Sequence, residues 1–175
     1  MATDPKSTQR ERLQRPGARI GIVVSRFHAE LTGAMLASAK SELEASGVAA
    51  SDVLEVWVPG AFELPLVARS LAQRVDIDAV VCLGLILKGE TEHDRWVAQG
   101  AVQGLVQASL EADKPILFGV LTCATLEQAR ARALPVARAN RGEDPAAHRG
   151  EDKGTQVARA AIETLAALDR VEELS

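Results

Sequence analysis

The segment from Leu83 to His93 (LGLILKGETEH) combines the residue types best suited to chemistry in this chain. It follows the apolar run 79–82 (AVVC), which predicts a buried strand. A strand followed by glycine, lysine, threonine and histidine places backbone donors, a hydroxyl and an imidazole at one edge of a sheet. Open α/β folds keep their binding sites at the carboxyl edge, so we expect chemistry near His93.

The elements that position this segment alternate between strand and helix. Apolar runs predict strands over residues 19–25, 53–58, 78–83 and 115–121. Helical spacing and capping patterns predict helices over 30–46, 62–74 and 94–111, one that opens at Thr125, and a last one over 155–168. Apolar strands separated by helices indicate a parallel sheet covered on both faces. We predict a three-layer, flavodoxin-like α/β domain with a four-stranded parallel sheet, and leave open an additional N-terminal strand.

Composition limits the class of protein. A chain of 175 residues with 47% hydrophobic residues fits one domain, which we place at 18–175 behind a flexible N-terminal tail over 1–17. The net charge is −4 and the basic residues are dispersed, which disfavours a nucleic-acid partner. The first eighteen residues lack the apolar core of a secretory signal, and no apolar run reaches membrane-spanning length. We expect a soluble, cytoplasmic protein with no membrane partner.

Two further patterns disfavour metal and dinucleotide chemistry. Cys82 and Cys123 follow apolar runs, without Cys-x-x-Cys spacing or a nearby histidine, and are interpreted as buried thiols. Residues 25–28 (SRFH) stand after the first strand, where a Rossmann dehydrogenase would carry Gly-x-Gly-x-x-Gly.

Four motifs together resemble a known family. They are 25–27 (SRF), 58–65 (VPGAFELP), 83–93, and 118–122 (FGVLT) with 127–129 (EQA) and Arg132. Their order and approximate spacing are similar to those of the 6,7-dimethyl-8-ribityllumazine synthases, over nearly the whole chain from Ala18 to Leu168. The resemblance implies the penultimate step of riboflavin synthesis. In that step 5-amino-6-(D-ribitylamino)uracil condenses with 3,4-dihydroxy-2-butanone 4-phosphate and releases phosphate and water. It also implies that no cofactor or metal is needed, and assembly as homopentamers or larger shells.

The resemblance implies a set of site residues along these motifs. His93 is the implied proton shuttle, because imine formation, phosphate elimination and ring closure all move protons near neutral pH, where imidazole gives and takes them. The implied substrate-binding residues are Phe27, Ala61, Phe62, Glu63, Leu85, Ile86, Leu87 and Phe118. The implied phosphate-binding residues are Glu90, Thr91 and Arg132.

These residue types suit their implied roles, and each has an ordinary structural alternative. The Phe27 ring can stack on a pyrimidinedione, and the Glu63 carboxylate can order ribityl hydroxyls. Backbone groups of residues 85–87 would line the pocket, while Phe118, at the end of the fourth strand, covers the ring from a neighbouring subunit. N–H groups at a helix start and an arginine suit a phosphate. The alternatives are a core phenylalanine, a capping glutamate or histidine, and an arginine on a solvated helix face.

Three residues depart from the family pattern. His28 stands where asparagine is usual, and Asp94 and Arg95 replace an aromatic and an acidic residue after His93. These departures keep open a non-catalytic flavin- or lumazine-binding paralogue of the same fold. A structural shell protein with a vestigial pocket is a further alternative. The polar connection over 134–153 is longer than in compact shell-forming members, which favours a free pentamer over a shell.

Overall fold

The centre of the fold is a parallel β-sheet. A computed structural model describes residues 12–135 and 152–174. The strands are β1 (Ile20–Ser25), β2 (Val53–Val58), β3 (Ala79–Leu87) and β4 (Ile116–Cys123). They lie in the order β2-β1-β3-β4, and all neighbouring pairs are parallel. The predicted four-stranded parallel sheet is confirmed.

Helices cover both faces of this sheet. They are α1 (Ala29–Ala45), α2 (Leu64–Ala72), α3 (His93–Ala112), α4 (Leu126–Ala133) and α5 (Lys153–Glu173). Buried residues of α1, α4 and α5 form one core with the sheet, and those of α2 and α3 form a second core on the opposite face. The predicted three-layer, flavodoxin-like arrangement is therefore present. None of the helices in the described part of the chain combines the length and apolar character needed to span a bilayer.

Strand β3, in the interior of the sheet, shows why a strand covered on both faces is apolar throughout. Val81 and Leu83 point into the core shared with α1, α4 and α5, while Val80 and Cys82 point into the core shared with α2 and α3. Successive side chains of a strand alternate between its two faces, so a strand covered on both faces needs an apolar residue at every position.

The predicted end of β3 at Leu83 is wrong, because the strand continues to Leu87. Gly84, the residue after the predicted end, does not interrupt the strand. Instead, a Cβ atom at this position would lie 3.2 Å from a Leu64 methyl group and 3.4 Å from Val120, so glycine permits close packing inside the strand. Strand β4 likewise runs past its predicted end to Cys123.

Part of the predicted N-terminal tail lies against α1. Arg12 donates from Nε and Nη2 to Glu42 at 3.2 and 3.1 Å, and the Arg15 amide donates to the Ser46 carbonyl at 2.7 Å. Glu42 is 5% exposed and also accepts a hydrogen bond from Arg159 Nε at 3.0 Å. Residues 12–19 form no strand, whereas residues 1–11 and most of the 134–153 connection lie outside the described residues.

Both cysteines are buried free thiols, as interpreted from the sequence. Burial raises the pKa of the Cys82 thiol far above its ordinary value. The pKa of Cys123 is also raised by burial, with the nearby Arg132 guanidinium acting in the opposite direction.

Candidate active site

A cavity of about 660 Å³ lies at the carboxyl ends of β1, β2 and β3. Three parts of the chain line it. They are Phe27 after β1, residues 59–63 after β2, and residues between 85 and 97, from the end of β3 into the first turns of α3. Its lining residues are Phe27, Pro59, Gly60, Ala61, Phe62, Glu63, Leu85, Ile86, Leu87, Gly89, Thr91, His93, Asp94, Trp96 and Val97. All of the predicted site residues except Glu90, Phe118 and Arg132 are therefore brought together.

The unequal lengths of the strands create the back wall of this cavity. In the described residues β1 pairs with β3 only as far as Val24 and Leu83, whereas β3 continues beside β4 to the pair Leu87 and Cys123. Residues 84–87 of β3 therefore pair with β4 on one side and extend beyond the end of β1 on the other. Leu85 and Ile86 are only 1% and 5% exposed, because their side chains pack into the two cores on opposite faces of the sheet.

Strand β3 leads into a short loop and then the N-terminus of α3. Thr91 Oγ1 accepts from the His93 amide at 3.4 Å, and Asp94 Oδ1 accepts from the Gly89 amide at 3.4 Å. A hydroxyl that accepts one hydrogen bond still has a proton to donate. His93 is the first residue of α3 and its side chain is exposed. The loop thus presents a hydroxyl, helix-start amides and an imidazole on the cavity wall.

Glu63 caps the turn that precedes α2. Its Oε2 accepts from the Gly60 amide at 2.8 Å, and residues Ala61–Glu63 form a 3-10 turn. The predicted helix over 62–74 is wrong at its start, since α2 begins at Leu64 with Pro65 in its first turn. The capping alternative for Glu63 is thus observed. A carboxylate has two oxygens, so the cap leaves one oxygen able to accept from a ligand hydroxyl.

Phe27 is exposed rather than part of the core. Its side chain is 56% exposed, and its ring contacts the His28 ring edge-on, with centroids 4.4 Å apart. His28 adopts the left-handed conformation, with φ of 56°, immediately before α1. The core-phenylalanine alternative is therefore wrong, and the ring is available to a flat ligand.

The remaining predicted residues do not line the cavity within one chain. Phe118 is the third residue of β4, so its predicted position at the end of that strand is wrong; it is 42% exposed on the outer strand of the sheet. Arg132 is exposed on α4, the helix that covers the other face of the sheet. Its Nη1 donates to the Gln128 carbonyl at 2.9 Å. Glu90 is exposed in the loop before α3. The functions assigned to these residues stay predictions.

Several lining residues were missed by sequence reasoning, and Trp96 is the largest of them. The indole is 60% exposed and lies three residues after His93, on the same face of α3. The helical spacing from His93 was the signal that could have identified it. Within the described residues no group of three or more His, Cys, Asp or Glu side chains is placed to hold a metal ion, and the expectation that no metal is needed stays a prediction.

Comparison with known proteins agrees with this arrangement. The family model described as 6,7-dimethyl-8-ribityllumazine synthase matches residues 17–169. Proteins of that name from two strains of Thermus thermophilus are each 50% identical over 117 residues, which is 67% of this chain and 74% of theirs. One from Protochlamydia amoebophila is 42% identical over 127 residues, 73% of each chain. The chain belongs to the 6,7-dimethyl-8-ribityllumazine synthase family.

Proposed function

We propose that the cavity at the carboxyl ends of β1, β2 and β3 is where this chain condenses 5-amino-6-(D-ribitylamino)uracil with 3,4-dihydroxy-2-butanone 4-phosphate. The reaction, a step of riboflavin biosynthesis, gives 6,7-dimethyl-8-ribityllumazine and releases phosphate and water; family membership supports it. The observation that carries the location is that an exposed aromatic ring, a carboxylate and an imidazole, on Phe27, Glu63 and His93, line one cavity.

The heterocyclic substrate occupies the side of the cavity formed by β1 and β3. Phe27 stacks on its ring, which contributes about 1–3 kcal/mol by analogy with base stacking. The backbone groups of Leu85 and Leu87 face the space beyond the end of β1 and hydrogen-bond the pyrimidinedione, whereas those of Ile86 face β4. The Glu63 oxygen that is not used by the cap accepts from ribityl hydroxyls.

The phosphorylated substrate occupies the side formed by the loop before α3. Helix-start amides and the Thr91 hydroxyl donate to phosphate oxygens. Glu90 lies in the same loop and contributes its backbone amide. His93, at the start of the helix, lies between the two sides and moves protons during imine formation, phosphate elimination and ring closure. Holding both substrates together removes much of the entropic cost of their encounter.

Arg132 and Phe118 complete the site from a neighbouring copy of the chain. Both are exposed and both lie away from the cavity of their own chain. A guanidinium pairs with phosphate oxygens in bidentate fashion. It brings a full positive charge, which the backbone amides of the loop before α3 do not carry.

An apolar groove on α3 supports assembly of the chain with itself. The groove has a volume of about 560 Å³ and is lined by Val102, Gln103, Val106, Gln107, Leu110 and Glu111. Leu110 is 78% exposed and Val106 is 56% exposed, and exposed apolar surface of this kind marks interfaces. We propose a homopentamer that does not assemble into a shell, in the cytoplasm.

The two-substrate assay tests the reaction. Purified protein mixed with both substrates should release inorganic phosphate and form a yellow product, and neither substrate alone should do so. A bound yellow ligand without turnover would instead support the non-catalytic binding paralogue. Assembled particles with neither ligand nor turnover would support the structural shell protein.

Substitution of Arg132 tests the shared site. Arg132→Ala should raise KM for the phosphorylated substrate about tenfold or more and leave KM for the uracil substrate nearly unchanged. Arg130→Ala, two residues away on the same helix, is the matched control and should change neither value. At a concentration of the phosphorylated substrate well below its KM, oligomers co-expressed from Arg132→Ala and His93→Ala chains should turn over faster than either variant alone, because some of their sites combine two intact residues. An average of the two variant activities would place each site within one chain.

Substitution in the α3 groove tests the assembly. Light scattering of the unmodified protein should give the mass of a pentamer, and a much larger particle would contradict the absence of a shell. Leu110→Glu should lower that mass because it places a charge in an apolar interface. Val75→Glu is the control, since Val75 is 99% exposed and lies outside the groove.

A further inference from the structure

We propose that Trp96 is a substrate-contacting residue that lies against the heterocyclic ring from the α3 side of the cavity. The proposal rests on the function proposed above and adds a binding residue to that site. Trp96 stands three positions after His93 in a helix that was assigned only a proton shuttle and a phosphate-binding end.

The exposure of Trp96 is the first observation. The chain has two tryptophans and three phenylalanines and no tyrosine, and Phe27, Phe62 and Trp96 line this one cavity. Their side chains are 56%, 61% and 60% exposed. Aromatic side chains contribute most when they are buried, and exposed aromatic rings that line a cavity favour a ligand that covers them.

The position of Trp96 on α3 is the second observation. Residues three and four apart on a helix lie on the same face, so the indole follows the His93 imidazole along the cavity wall. One turn further on, the Phe62 ring lies against Gly100, where a Cβ atom would be 2.7 Å from Phe62 Cε2. The indole therefore lies between the imidazole and a second aromatic ring along this face.

The surroundings of the indole leave most of it uncovered. The Arg95 guanidinium lies 6.0 Å from the ring centroid, at the outer limit of a cation–π contact. Trp96 has no place in the core of the described residues, so its surface is free to contact a flat heterocycle. Because stacking on an aromatic ring tolerates many ring chemistries, the contact adds affinity rather than reaction chemistry.

Kinetic measurements test the role in binding. Trp96→Ala should raise KM for the uracil substrate about tenfold while kcat changes by no more than about twofold, because the contact is present before and during the reaction. Trp96→Phe keeps a flat apolar surface, so its KM for the uracil substrate should lie between those of the unmodified enzyme and Trp96→Ala. Unchanged KM in Trp96→Ala, with the unmodified enzyme active, would overturn the inference and leave the proposed function intact. A lack of turnover in the unmodified protein would instead remove the proposed function.

A fluorescence measurement detects the contact directly. The second tryptophan, Trp57, does not line the cavity: its Nε1 donates to Glu55 at 2.6 Å and the Arg26 guanidinium lies 5.6 Å from its ring. In a Trp57→Phe enzyme, which keeps Trp96 as the fluorophore, acrylamide should quench emission strongly, and the uracil substrate should reduce this quenching. In a Trp96→Phe enzyme the substrate should leave quenching unchanged.

Accessibility to acrylamide is used because energy transfer to the ligand can reduce emission over long distances without contact. Quenching of Trp96 that is equal with and without saturating substrate would overturn the inference. Quenching that is already weak without substrate would overturn it too, because a neighbouring chain would then cover the indole.

Discussion

The two faces of the sheet differ in how completely this chain covers its own apolar surface. On the face of α1 and α5, Gly154 lies so close to α1 that a Cβ atom would be 2.0 Å from the Met35 carbonyl, and the almost fully buried Glu42 binds two arginines. On the face of α2 and α3, Leu66, Trp96 and Leu110 are at least 60% exposed. The first face is closely packed where α1 meets the start of α5 and exposes large apolar side chains at the C-terminal end of α5, at Leu168, Val171 and Leu174. The second leaves apolar surface beside the cavity and along α3, which is available to substrates and to other copies.

This difference separates residues that maintain the fold from residues that act. The cavity and the α3 groove both belong to the face of α2 and α3. Substitutions on the α1 and α5 face should therefore change the free energy of unfolding, and substitutions of cavity residues should change kinetic constants.

The largest effect is expected for Gly154→Ala. The added methyl group would overlap the Met35 backbone, so α1 and α5 must separate, and overpacking of this kind costs about 3 kcal/mol. Urea unfolding of the variant measures the loss. A free energy of unfolding within about 0.5 kcal/mol of the original would show that this helix contact is not tight.

Gly33→Ala is the matched control on the same face. Gly33 also lies in a helix, but a Cβ atom there would be 3.9 Å from Trp57, which is ordinary contact. Alanine is the better helix former by about 1 kcal/mol, so this variant should be as stable as the original or more so. Both substitutions add one methyl group to a helix, so a large loss in Gly154→Ala that is absent in Gly33→Ala reports the packing of α1 against α5.

The opposite behaviour is expected for His93→Ala. The exposed imidazole contributes little to the fold, so the unfolding curve should stay unchanged. Loss of a general acid–base group should lower kcat by about 10²-fold or somewhat more, while binding of both substrates preserves the remaining acceleration. Steady-state kinetics decide this, with the exposed Gln99→Ala of the same helix as the control. A kcat equal to that of Gln99→Ala would remove His93 from the mechanism.

The sequence predicted the fold more completely than the site. The four parallel strands and the three layers follow from apolar runs and helical spacing, as in the full coverage of β3, whereas the strand order was not predicted. The end of β3 could not be predicted, because Gly84 is explained by Leu64 and Val120, which are distant in sequence. Trp96 shares a helix face with the predicted His93, but helical spacing alone does not show how far along α3 the cavity extends.

The thiol of Cys82 tests whether the core shared with α2 and α3 excludes water. Burial raises its pKa in the folded protein, whereas an unfolded thiol has an ordinary pKa of about 8.5. Above that pH the unfolded state loses a proton that the folded state keeps, so the free energy of unfolding should fall as pH rises. Between pH 7 and 9.5 this thiol should contribute a loss of about 1 kcal/mol, which Cys82→Ala should remove. Equal losses in both proteins would show that water reaches Cys82.

The smallest effect is expected for Asp94→Asn, which separates charge from geometry on the cavity wall. Asp94 accepts from the Gly89 amide in the loop that we propose holds the phosphate. The asparagine side chain can still accept this hydrogen bond, so the loop keeps its shape while a negative charge near a phosphate dianion is removed. KM for the phosphorylated substrate should fall by about threefold, consistent with a solvent-screened charge repulsion. Asp94→Ala removes the hydrogen-bond acceptor as well as the charge. A lower KM in Asp94→Asn but not in Asp94→Ala would show that the Asp94 carboxylate orders this loop and also weakens binding of the phosphate. A higher KM in Asp94→Asn would contradict the placement of phosphate at this loop.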